Sequence, residues 1–172
     1  MKYIITLFVA ISLFASTNAQ TKDTKVEGFR DFKWGEEMSG MKVNGELANF
    51  IKMEKEKEKD GDYYILAEEN LMIGNVLLSS IEYVFSKKDA KFFKVILTGK
   101  KIDSEQMNFI VGFKYGENAN IDTKDDRVIK EWIINNVSIT MKDYTLHKFE
   151  LILKSDWEAA EAYRKNTNVS DF

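Results

Sequence analysis

Hydrophobic positions along the chain recur with two periods, and the changes of period divide it into elements. Phe32 and Trp34 alternate with polar neighbours as a half-buried strand does, and Gly35 ends the run. Met38 and Met41, three apart, predict a short helix over Glu36 to Lys42. Leu47, Phe50 and Ile51 mark a helix-compatible stretch over Glu46 to Ile51. Lys52 to Lys59 is mostly alternating acid and base. It reads as a solvated helix end or loop, with a partner-docking segment as the alternative, and Asp60-Gly61-Asp62 closes it as a turn.

From Tyr63 the period becomes two. Tyr63 to Glu68 is a strand, and Leu71 to Ile73 and Val76 to Leu78 flank Gly74-Asn75 as a hairpin. Ile81, Tyr83 and Phe85, and then Phe93, Val95 and Leu97, give two more strands with one strongly apolar face each. Asp103 to Gln106 has the form of a capping box; Met107, Ile110 and Val111 continue a helix that Gly116 stops. After a polar loop, Glu117 to Arg127, a second β unit follows. Val128 to Ile134 and Val137 to Lys142 flank Asn135-Asn136, Phe149, Leu151 and Leu153 mark a further strand, and Ser155 with Glu158 opens a final helix to about Lys165.

Adjacent strands joined by turns pair antiparallel, because parallel strands need long crossovers. The pattern predicts an α+β domain: an antiparallel sheet of about six to seven strands with two or three helices packed on one face. This domain is expected over residues 29–166, after a flexible leader at 20–28 and before a polar tail at 167–172.

Residues 1–19 read as a signal peptide. Lys2 gives a positive start, Ile4 to Phe14 an apolar run, and Ala15 to Ala19 a small-residue stretch suited to cleavage after Ala19. The apolar run is short for the roughly 20 residues a membrane-spanning helix needs, so no transmembrane anchor is expected. The expected location is periplasmic or extracellular, in a bacterial envelope.

Composition narrows the chemistry. The 172 residues include no Pro, no Cys and one His. That excludes thiol nucleophiles, disulfides, lipoprotein anchoring and Cys/His zinc sites. Lys and Arg number 25 against 28 Asp and Glu, a net charge of -3 that argues against nucleic acid as a partner. His147 has no sequence neighbour to orient it and reads as a surface residue. Asn118, Asn120 and Asp122 have calcium-loop spacing, but Thr123 and Ile129 stand where Gly and a bidentate Glu are needed. No metal, cofactor or catalytic residue is assigned. Trp34, Tyr63, Tyr64 and Trp132 are the candidate binding surface, as a platform for glycan or peptide, against the alternative that they are core.

Phe29-Arg30-Asp31-Phe32-Lys33-Trp34-Gly35, Ile81 to Phe85 and Lys114-Tyr115-Gly116 resemble, in that order, a loose group of exported bacterial proteins of uncharacterised activity. They open with an aromatic strand ending in Trp-Gly and later carry a helix ending in Lys-Tyr-Gly. The chain departs from them at the longer, more charged Lys52 to Asp62. The resemblance implies a small envelope binding domain with helices on one sheet face, and no catalysis. The expected function is therefore non-catalytic binding of an envelope protein or a glycan. A small carboxylate-dependent hydrolase acting on glycan or peptide is the alternative.

Overall fold

The structure, a computed structural model, describes residues 26–54, 60–116, 120–124, 126–156 and 158. Two short hairpins come first. β1 (Gly28–Phe29) pairs with β2 (Phe32–Lys33) across Arg30-Asp31. After a 3-10 turn at Met38–Gly40, β3 (Lys42–Val43) pairs with β4 (Glu46–Leu47) across Asn44-Gly45. Nine further strands form one antiparallel sheet: β5 (Phe50–Lys52), β6 (Asp62–Leu66), β7 (Met72–Ile73), β8 (Val76–Phe85), β9 (Phe92–Lys100), β10 (Asn120–Lys124), β11 (Arg127–Ile134), β12 (Val137–Tyr144) and β13 (Lys148–Ser155). Their spatial order is β10-β11-β12-β13-β9-β8-β6-β5, with β7 beside β8. Between β9 and β10 the chain forms a 3-10 turn, Lys101–Asp103, and helix α1 (Ser104–Tyr115).

The expected six to seven strands under two or three helices are thus replaced by a larger sheet. Among the described residues, α1 is the one α-helix packed on it. Each difference has a local cause. Asn44 and Gly45 both take left-handed angles (φ 53° and 88°), which make a tight hairpin turn and start a strand in the helix-compatible stretch. A short apolar run such as Leu47, Phe50 and Ile51 fits either period, and Phe50 instead pairs with Leu66 across the sheet. The helix expected over Glu36 to Lys42 shrinks to one 3-10 turn. Backbone pairing with the start of β9 competes for it: Gly35 N–H donates to Phe92 O, Phe92 N–H to Glu36 O, and Glu37 bridges to Lys91. The loop expected after Gly116 contains β10, an edge strand exposed at every residue, whose polar composition reads as loop because it buries neither face. The helix expected from Asp156 to about Lys165 lies outside the described residues, apart from Asp156 and Glu158.

The turn and helix-stop signals are met. Gly74-Asn75 turns β7 into β8, Asn135-Asn136 turns β11 into β12, and α1 ends at Gly116 (φ 96°). Asp103 precedes α1 without making a side-chain cap bond. The two strand runs around Ser79 join as β8. A bulge between Leu78 and Ser80 resets the alternation, so Val76, Leu78, Ile81, Tyr83 and Phe85 all reach the core.

One sheet face carries that core. Helix α1 covers its β11–β9 half with Met107 and Val111, and Trp132 below it donates from Nε1 to Gly116 O at 2.9 Å. The N-terminal hairpins cover the β8–β5 half. There Phe32 lies edge-on to Tyr83 at 5.4 Å and near Phe50 and Phe92. On the opposite face, Tyr63, Val84 and Phe93 form a small second cluster. Among the described residues no helix is long and apolar enough to cross a membrane.

Candidate functional site

Three turns meet over Tyr83 of β8 and enclose a cleft of about 460 Å³. They are Arg30-Asp31 between β1 and β2, Asn44-Gly45 between β3 and β4, and Glu68 to Asn70 between β6 and β7. The first turn depends on Gly28, where a Cβ would stand 1.9 Å from Phe32 O. Among the described residues, three of the five non-glycine residues with positive φ line this one cleft: Arg30 (54°), Asn44 (53°) and Glu68 (57°). Such conformations cost on the order of 1 kcal/mol each and gather at functional sites.

The floor is an ionic triad. Glu69, with only 4% of its side chain exposed, accepts from the Tyr83 hydroxyl and from Arg30 at 2.5 Å through the same carboxylate oxygen. Arg30 also donates to Asn70 O at 2.6 Å and Met72 O at 3.3 Å. Burial pushes the Glu69 carboxyl above its ordinary value, although Tyr83 and Arg30 oppose the rise. Burial and the neighbouring carboxylate push the Tyr83 phenol far up, so it remains a donor.

The rim has the opposite character. Asp31, Glu46 and Glu68 are exposed carboxylates, and Asn44, Asn49 and Asn70 supply amides. No basic side chain among the described residues pairs with those three acids, because the one guanidinium in the cleft is turned onto Glu69. Leu47, 68% exposed, gives the rim an apolar contact.

The aromatics singled out from sequence do not line this cleft. Trp34 stacks on Phe92 at 4.7 Å and donates to Val26 O at 3.0 Å. Tyr63 and Tyr64, consecutive in β6, point to opposite faces. Tyr63 donates to Asp60 at 2.7 Å and receives Lys94 Nζ at 2.8 Å, whereas Tyr64 packs edge-on to Phe85 at 5.4 Å. Trp132 is buried beneath α1, in the other half of the sheet. The four are therefore not brought together. His147 is exposed in the turn before β13. Asn118 lies outside the described residues, Asn120 and Asp122 belong to β10, and no group of three His, Cys, Asp or Glu among the described residues is placed to hold a metal.

Arg30, Glu46, Glu68 and Glu69 escaped the sequence reading. Arg30 and Glu69 are 39 residues apart, and nothing local joins them. The Asn44-Gly45 dipeptide between Lys42-Val43 and Glu46-Leu47 is the signal that locates one wall. Comparison of the chain with protein-family models, with curated proteins and with solved structures finds no match.

Proposed function

We propose that the chain is an exported, non-catalytic binding protein whose cleft takes a basic segment of another envelope protein. One observation carries this reading: the Arg30 guanidinium is turned inward onto Glu69 and two carbonyls, leaving the rim carboxylates without a cationic partner among the described residues. A ligand bearing lysine or arginine side chains supplies that partner, and the amides of Asn44, Asn49 and Asn70 accept and donate around it. The cleft lies within the 300–1,000 Å³ usual for ligand pockets. The apolar run and small-residue stretch of residues 1–19 support export.

The test is capture from envelope extract by the wild type and by a Glu46→Gln/Glu68→Gln variant, followed by titration of a lysine-rich peptide from the captured protein. The wild type is expected to retain its partner. The variant should lose it, with at least a tenfold weaker affinity for the peptide and an unchanged melting temperature. Equal capture by both proteins removes the cleft from the reading.

A second reading, a carboxylate-dependent hydrolase, is favoured by the raised value of the Glu69 carboxyl, a feature of proton donors. It requires turnover of a glycan or peptide that Glu69→Gln abolishes.

A further inference from the structure

On the sheet face opposite the cleft, one row of side chains crosses five strands. Lys124 of β10 stands directly opposite Arg127 of β11, and Arg127 opposite Tyr144 of β12. Lys148 of β13 lies 5.1 Å from the centre of the Tyr144 ring, and it stands opposite Lys100 of β9. Alternation puts all five outward: Phe149, Leu151 and Leu153 face the core from the same strand as Lys148, and Val95 and Leu97 do so beside Lys100. Four inter-strand steps of about 4.8 Å make the row roughly 19 Å long.

The row is unfavourable as it stands. Like charges directly opposite across a sheet repel, and it contains two such pairs, Lys124 with Arg127 and Lys100 with Lys148. Local acids answer only part of the charge. Glu150 holds Lys148 at 2.6 Å, Asp122 lies 3.7 Å from Lys124, and Asp126 is 4.0 Å from Arg127 Nε. Lys100 has no ion-pair partner among the described residues, and Arg127 Nε is buried with no hydrogen bond. None of these outward cations is needed by the core. In a chain of net charge -3, the row is a local reversal of sign.

We infer that this row is a binding site for an anionic polysaccharide lying across the strands. A linear polyanion matches a linear array of cations and relieves both repelling pairs at once. The Tyr144 ring already carries Arg127 and Lys148 at 5.7 and 5.1 Å, so it is not the bare platform on which unpaired bases stack. Leu146, in the turn between Tyr144 and Lys148, is the one large exposed apolar side chain of that turn, too little to anchor the row on a lipid surface.

Heparin, a sulfated polysaccharide, is the probe, with uncharged dextran, anionic phospholipid vesicles and single-stranded DNA as comparisons. The full-length protein is expected to bind heparin at about 50 mM salt, with affinity falling steeply as salt rises, and to ignore dextran. Lys100→Glu/Lys124→Glu should weaken heparin binding at least tenfold. Lys33→Glu/Lys114→Glu, which changes net charge equally at exposed positions elsewhere, should change it less than threefold. If the first variant melts lower than the wild type, Lys100→Gln/Lys124→Gln takes its place, with the same ordering expected. No binding to heparin, equal loss in both double variants, or tighter binding to vesicles or DNA overturns the inference.

Discussion

Glu69 is the residue on which the cleft turns. Its carboxyl is raised by burial, so the folded chain holds that proton more tightly than the unfolded chain does. Stability from this group is therefore fully present below the unfolded value of about 4.3 and is lost as pH rises through the folded value. Urea unfolding at several pH values should show the difference between wild type and Glu69→Gln shrinking or reversing as pH rises across that window. A difference that does not change with pH contradicts it. Asp60 has the opposite sign. Burial pushes it up, but the Lys94 ammonium and the Tyr63 hydroxyl outweigh this and hold it below its ordinary value, so its contribution is lost on acidification. Tyr83→Phe removes one donor from a buried carboxylate and should cost about 1–3 kcal/mol by denaturant unfolding. None of these partnerships was legible in the sequence, because each joins side chains through the fold. What was legible at this scale were the turn residues. Gly74-Asn75 and Asn135-Asn136 located two hairpins because left-handed backbone needs residues that tolerate it.

At the scale of the element, two glycines make opposite predictions. Gly99 in β9 stands opposite Phe149, and a Cβ there would lie 2.3 Å from the Phe149 ring, which is fully buried. Gly99→Ala should destabilise by about 1–3 kcal/mol as the ring is forced aside. Gly112 in α1 has open space around its Cβ direction, so Gly112→Ala should stabilise by about 0.5–1 kcal/mol. Thermal melts of both variants check the pair. Strands with one buried face were readable from their alternation: β13 shows it as Phe149, Leu151 and Leu153 against Lys148 and Lys154. β10 was not readable, since all five of its residues are exposed and its only signal is the neighbour it pairs with. The Glu46 to Ile51 segment is helix-compatible in sequence yet contributes to β4 and β5, for a related reason. An apolar run that short carries too few turns of either period to decide.

Across the whole molecule the two charged features lie on opposite sides of one sheet, the carboxylate rim over Tyr83 and the cation row on the outward face. Sequence counts show near balance and conceal this separation, because neighbours in the row come from five strands and lie between Lys100 and Lys148 in the chain. The same spread has a consequence in time. The sheet is two meanders, β5 to β9 and β10 to β13, each closing between near neighbours in the chain. They meet at a single seam where β13 pairs with β9, setting Leu151 opposite Leu97 and Leu153 opposite Val95. Hairpins form in microseconds, whereas a seam between distant segments must first meet the loop-closure entropy of everything between them. Docking of the two meanders is then the slow step of folding. Leu151→Ala should slow refolding in a chevron experiment, and Ile139→Ala, whose contacts with Leu153 and Trp132 lie inside the meander formed before docking, should slow it as well. If both variants change only the unfolding limb, the barrier lies before the seam is made.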